Sequence, residues 1–168
     1  MTPTDSTRHH TVVDTPVGPL TVVRTGTALS GVYFPGHRPA PAPGRIGTAR
    51  ADGFGEIRDQ LAEYFGGRRR SFDLELAPVG TEFQNEVWAA LRTIPYGETW
   101  TYSALAVAVG RPTSVRAVAS ANARNPLSIV VPCHRVIGMS GSLTGFAGGV
   151  ERKRLLLDLE SGTPTLFP

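Results

Sequence analysis

Cys133 stands in the run Pro132-Cys133-His134-Arg135-Val136 and is the only thiol of the 168-residue chain. A lone cysteine beside an imidazole, with a basic neighbour, is an arrangement that favours thiolate, the nucleophilic form. A thiol near its free pKa of about 8.5 is mostly protonated at neutral pH, so an adjacent base matters. The same residues also fit a buried structural cysteine, because adjacent side chains on an extended segment point to opposite faces. One thiol excludes an internal disulfide and every zinc site built on two or more thiolates. No metal is expected, and a reducing cytoplasm fits best.

The surroundings of Cys133 are basic. Residues 110–154 hold Arg111, Arg116, Arg124, Arg135, Arg152, Lys153 and Arg154 against Glu151 alone, a balance of +6. The whole chain is formally +3, so the remainder carries −3. A basic half beside an acidic one suggests a polyanion partner for the C-terminal part; a solvated charged face is the alternative. The apolar share of 40% is that of a globular protein able to bury a core, and no run approaches the roughly 20 apolar residues of a membrane helix. Met1 to Thr11 carries Arg8, His9 and His10 with no apolar stretch behind them, and reads as a disordered leader rather than a secretory signal.

The elements that must position Cys133 are legible in outline. Thr11 to Phe34 alternates β-branched and turn residues as an antiparallel meander does. Pro35 to Gly47, with four prolines and three glycines, is a surface loop. Ile57, Leu61, Tyr64 and Phe65 fall at helical spacing ahead of a Gly66 cap, and Phe72, Leu74 and Leu76 alternate as a strand. Thr81 and Gln84 have capping-box spacing at the head of a helix whose face is Phe83, Val87, Trp88 and Leu91. Ser103 caps a helix through Val109, Gly110 breaks it, and Pro112 opens another to about Ala123. Two short helices about a glycine turn suggest helix-turn-helix, although packed helical hairpins without DNA contact are as common. Leu127 to Val131 should be buried, delivering Cys133, and a last helix spans about Val150 to Glu160. The expected fold class is α/β: a small N-terminal α/β domain with antiparallel strands over residues 1–77, and a mostly helical domain over 78–168.

From about Thr81 to Glu160 the text resembles the O6-alkylguanine-DNA alkyltransferases, the methylated-DNA protein-cysteine methyltransferase family. The matching stretches include Phe83 to Trp88, Ile94 to Thr99, Tyr102-Ser103, Arg116 to Val118, Asn125-Pro126, Ile129 to Gly138 and Gly141 to Gly149. The resemblance implies direct-reversal DNA repair, in which Cys133 takes the alkyl group from O6-alkylguanine, and from O4-alkylthymine, in a single turnover. It implies that His134 takes the thiol proton through a water and that Glu160 orients His134. Tyr102 would donate to guanine N3 as the base leaves. Arg116 would enter the duplex where the flipped nucleotide was, with Ser103 and Ala117 among the DNA contacts in the minor groove. Asn125 would brace the turn before the active-site segment. The Val136 carbonyl, Phe146, Ala147 and Gly148 would wall the base pocket. Small Ala117, Ala119, Ser120 and Ala121 would admit the DNA backbone, or simply pack on the neighbouring helix.

Phe146 and Ala147 depart from the family's frequent tyrosine and occasional serine, and Arg111 stands where asparagine is often found, a weaker helix cap. The resemblance implies no cofactor, no membrane association, and a monomer that can act cooperatively on DNA. The rival reading is a non-catalytic binder of alkylated DNA, which would lack the reactive cysteine; a transcription regulator and a Cys-His hydrolase are more distant.

Overall fold

The structure, a computed structural model, describes residues 7–163. Three antiparallel strands, β1 (Arg8–Thr15), β2 (Gly18–Thr25) and β3 (Ala28–Tyr33), form the meander read from the sequence. The strand start corrects one expectation, since Arg8 to Thr11 pair with Thr25 to Val22 rather than belonging to a disordered leader. The rest of that leader, residues 1–6, lies outside the described residues. A two-residue strand β4 (Thr48–Ala49), beyond the Pro/Gly-rich loop, adds in parallel to β1 and completes the order β3-β2-β1-β4.

All six residues of β3 are buried, and its free edge is shared by two distant segments. The Leu29 amide donates to the Glu75 carbonyl and Ala77 returns the bond to Leu29, each at 2.8 Å. Three residues on, the Val32 amide donates to the Pro126 carbonyl, also at 2.8 Å. The strand predicted over Phe72–Leu76 is therefore reduced to one bridge, at Leu76, because the rest of the β3 edge is taken by the C-terminal half. Its backbone is held instead by Gln60, whose amide bonds both Asp73 N–H and C=O at 2.9 Å. Gln60 projects from helix α1 (Gly55–Phe65), which buries Ile57, Leu61 and Tyr64 and ends at Gly66.

Helix α2 (Glu82–Leu91) starts with the predicted capping box: Gln84 N–H donates to Thr81 Oγ1 at 3.1 Å and Thr81 N–H to Gln84 Oε1 at 3.0 Å. It buries Val87, Trp88 and Leu91. Strand β5 (Trp100–Thr101) runs straight into helix α3 (Tyr102–Ala108). Thr101, not Ser103, caps α3, accepting from Ala104 N–H at 3.0 Å. Parallel pairing of β5 with β6 (Val136–Ile137) holds Thr101 extended, and an extended residue is what an N-cap requires. Gly110, at φ 73°, closes α3. Helix α4 (Val115–Ala123) begins three residues beyond Pro112, because residues 111–114 form a turn closed by Ser114 N–H on the Arg111 carbonyl at 3.0 Å. α4 packs on α2 and α3 as a helix-turn-helix. Of its small residues Ala121 is the packed one, and its carbonyl accepts from Trp88 Nε1 at 2.8 Å. Helix α5 (Val150–Ser161) ends the described chain close to the span predicted for it.

One apolar core runs through both halves, from Leu20, Val22 and Val32 to Leu91, Leu127, Val136 and Leu156. Phe34, just past β3, packs edge-on against Phe146 with centroids 5.4 Å apart, and the neighbouring loop leans on the same ring at Gly148. A Cβ at residue 148 would lie 2.5 Å from Phe34 Cδ2, closer than any real contact. We therefore expect Gly148→Ala to lose about 1–3 kcal/mol through overpacking. In denaturant unfolding, Gly148→Ala with Phe34→Leu should lose less than the two single changes added together.

Candidate active site

Cys133 opens a single 3-10 turn, Cys133–Arg135, rather than ending an extended segment. The turn places the thiol, the imidazole and the guanidinium of three consecutive residues all inside the protein, which strict strand alternation would have split between two faces. Upstream, Leu127 to Val131 is buried as expected but folds as a tight turn, with Val131 N–H on the Leu127 carbonyl at 2.8 Å. Ile129 sits at φ 74°, a left-handed conformation that β-branched residues rarely adopt. Asn125 holds this geometry: its Nδ2 donates to the Val131 carbonyl at 2.8 Å and its Oδ1 accepts from Leu127 N–H at 2.9 Å.

Glu160, in the last turn of α5, is the hub beneath the turn. Its Oε2 accepts from His134 Nε2 at 2.7 Å, from Tyr64 Oη at 2.6 Å and from Arg135 Nη2 at 3.0 Å; its Oε1 accepts from Arg135 Nε at 2.7 Å. The remaining Arg135 nitrogen donates to the Ile94 carbonyl at 2.7 Å. Burial alone would raise the Glu160 pKa, but His134 and Arg135 more than offset it and hold the carboxyl far below its usual range. Facing an ionised carboxylate, Nε2 of His134 must carry the proton. Nδ1 is then a bare acceptor, and it has no partner among the described residues. Burial lowers the His134 pKa against the pull of Glu160, so the ring rests neutral.

Burial also raises the Cys133 pKa, opposed by Asn125, by Lys153 and by the backbone N–H groups of residues 133 and 134. The resting group is a thiol in need of a base, beside a neutral imidazole with a free lone pair. Lys153 was not singled out from sequence as a site residue, yet the chain's single lysine is completely buried here. Its ammonium donates to the Val136 carbonyl at 2.5 Å and to the Thr144 carbonyl at 3.2 Å, and sits 5.9 Å from the Tyr102 ring centroid. Burial lowers its pKa while the nearby Cys133 raises it. The one available signal was compositional: a lone lysine among sixteen arginines, on a helix face with Leu156 and Glu160.

Tyr102, first residue of α3, donates to the Thr144 carbonyl at 3.0 Å. Burial raises its pKa, the Thr144 bond lowers it, and Cys133 raises it again, so the phenol is a proton donor at neutral pH. Phe146 and Ala147 are half-buried, Gly148 is buried, and the Ala147 carbonyl accepts from Arg38 N–H at 3.1 Å. At one site, Lys153 and Thr144 thus join Val136 to Tyr102, Glu160 joins His134 to Arg135, and Asn125 and Lys153 act on Cys133. Arg116 and Ala117 stand apart from it, exposed in the first turn of α4, and Ser103 is half-buried on α3. Arg111 lies at the inter-helix turn over the Phe83 ring and 3.6 Å from Glu86, so its effect on capping falls away; Ser114 holds the cap position.

Residues 82–162 match the family described as 6-O-methylguanine DNA methyltransferase, DNA binding domain, and residues 9–78 its ribonuclease-like domain. The methylated-DNA–protein-cysteine methyltransferase of Mycobacterium tuberculosis H37Rv is 47% identical over 152 residues, covering 90% of this chain and 92% of the relative. That of Methanosarcina barkeri is 44% identical over 153 residues, covering 90% and 96%. A crystal structure of Mycobacterium tuberculosis OGT in complex with DNA superposes with a TM-score of 0.88 at 46% identity, covering 92% of this chain and 93% of that one.

Acid should dismantle the hub in two stages. Below the ordinary histidine value of 6.5 the unfolded chain takes a proton that buried His134 resists, and below 4.5 it takes one that Glu160 resists. Both groups therefore contribute stability above those values that is lost as pH falls. Glu160→Gln leaves Arg135 buried and unpaired and should cost about 3–5 kcal/mol at pH 7. Urea unfolding between pH 7.5 and 3.5 should show the difference from wild type shrinking below pH 4.5; a constant difference would mean that the carboxylate's charge is not what holds the turn.

Proposed function

The chain belongs to the 6-O-methylguanine DNA methyltransferase family and repairs DNA by alkyl transfer, and on that premise we propose that Cys133 accepts the group from O6-alkylguanine. The observation that carries the assignment is His134: a buried, neutral imidazole next in the chain to a protonated thiol, its Nε2–H committed to Glu160 and its Nδ1 without a partner among the described residues. Through one bridging water the thiol proton passes to Nδ1. The thiolate then attacks the alkyl carbon, and the S–C bond forms as the C–O bond breaks. The electron pair left on guanine is met at N3 by the Tyr102 hydroxyl proton, released from the Thr144 carbonyl. Lys153 stabilises the phenolate until the proton held on His134 returns to it, so the net transfer is thiol proton to guanine. General acid help of this kind is typically worth ~10² to 10⁴ in rate.

Guanine O6 lies within the base stack, so the nucleotide must leave the duplex, at a few kcal/mol of unstacking. Exposed Arg116 on α4 is suited to fill the gap from the minor groove, with Ala117 and Ser103 against the backbone. The Val136 carbonyl keeps one lone pair free of Lys153 for the extruded base. Phe146, steadied by Phe34, supplies a stacking ring, and the Ala147 and Gly148 amides face the O6 side. Asn125 keeps the turn in register. In this reading residues 78–168 carry the chemistry and DNA contact, while residues 1–77 buttress the hub. O4-alkylthymine offers the same carbon-oxygen bond. The product is a thioether with no carbonyl for water to attack, and no second thiol exists to resolve it, so each monomer reacts once. No helix among the described residues is long and apolar enough to cross a membrane; the cytoplasm, where a lone thiol stays reduced, suits the chemistry.

Incubation with excess duplex carrying labelled O6-methylguanine should place one label per molecule on the wild type and none on Cys133→Ala, which still binds DNA. Label on Cys133→Ala would overturn the assignment. Arg116→Ala should slow transfer from duplex by at least about tenfold, the worth of roughly 1.4 kcal/mol of unstacking no longer offset. Free O6-benzylguanine, which needs no extrusion, should react with it nearly as fast as with wild type.

A further inference from the structure

We infer that Tyr64, far from Cys133 in sequence, is a positioning residue for alkyl transfer: its hydroxyl holds the Glu160 carboxylate and so governs how readily His134 takes the thiol proton. The inference rests on the reading of His134 as the base. Tyr64 lies on α1 in the N-terminal half and donates at 2.6 Å to Oε2, the oxygen that also takes His134 Nε2 at 2.7 Å. The two partners are 96 residues apart in the chain. The Tyr64 side chain is fully buried, and its ring is seated by Phe65, Phe72 and Tyr96 at centroid distances of 5.2, 5.5 and 6.4 Å. Three rings share the seat of the Tyr64 ring, while the hydroxyl itself is held by the bond it makes to Glu160.

The groups around this oxygen are few. From α1 comes Tyr64, from the segment after α2 Tyr96 with Arg70 stacked over it at 5.3 Å, from the 3-10 turn His134 and Arg135, and from α5 Glu160 and Lys153. Among the described residues Glu160 is the one carboxylate acting on His134, so its basicity decides how strongly Nε2–H is pulled. Burial and then the Glu160 charge push the Tyr64 pKa well above 10, making the hydroxyl a donor at every working pH. A carboxylate oxygen that loses such a donor becomes more basic, stabilises the imidazolium, and keeps His134 protonated to higher pH.

Tyr64→Phe preserves the ring and removes only that donor. Single-turnover transfer from labelled duplex, followed from pH 5 to 8.5, should show its acid limb displaced upward by roughly half a unit to one unit, with DNA affinity unchanged. Phe72→Leu, which loosens the same aromatic seat without touching Glu160, should lower the melting temperature and leave the limb in place. NMR titration of the His134 ring reads the same displacement without any chemistry, so it tests the hold of Tyr64 even if transfer were to fail in wild type. An unmoved His134 titration in Tyr64→Phe, or an equal displacement in Phe72→Leu, would overturn the inference.

Discussion

The buried carboxylate of Glu160 is the point on which the rest of the site depends. Three segments converge on its two oxygens: α1 through Tyr64, the 3-10 turn through His134 and Arg135, and α5, which carries it. An isolated carboxylate there would cost several kcal/mol of desolvation. With four hydrogen bonds on the carboxylate and a guanidinium gripping both oxygens, ionisation becomes the favoured state instead. That choice dictates the histidine tautomer, and the tautomer leaves Nδ1 bare. The chemistry of the thiol thus follows from how a neighbouring charge was satisfied.

Lys153 plays the complementary part on the other side of Cys133. Its ammonium ties the Val136 carbonyl to the Thr144 carbonyl and stands beneath the Tyr102 ring, joining β6, which follows the thiol's turn, to the loop over it. A buried cation is tolerable because two carbonyls and an aromatic face replace water. It also biases the pocket toward anions, which a thiolate and a phenolate both are. Three buried charges, Glu160 with its partner Arg135 and Lys153, thus surround a cysteine that itself rests neutral.

The segments around the thiol are not held equally firmly. The floor is firm: Asn125 locks the turn that carries a left-handed Ile129, and the edge of β3 pairs with Pro126 just beyond it. The loop from Gly138 to Gly149 is mostly exposed, and is held by Phe34, by the Arg38 amide and by Arg152 on the Gly148 carbonyl. The N-terminal half therefore reaches the site twice, through Tyr64 below and through the Phe34 to Arg38 segment above.

Local signals in the sequence determined much of this protein: the meander, the Thr81–Gln84 capping box, the helix pair about Gly110, and a lone thiol beside an imidazole in Pro132-Cys133-His134-Arg135. These depend on side-chain periodicity and backbone preference within a few residues, which a sequence displays directly. The start of α3 was misplaced because Thr101 is held extended by Val136 and Ile137, more than thirty positions away, and the strand over Phe72–Leu76 shrank because Pro126 competes for β3. Glu160 is named by the resemblance alone, while Tyr64 stands in the sequence as one position at helical spacing and Lys153 as one charge of a basic stretch. Only folding could give them roles, because whether a buried polar atom meets a partner is decided by segments that approach from elsewhere in the chain.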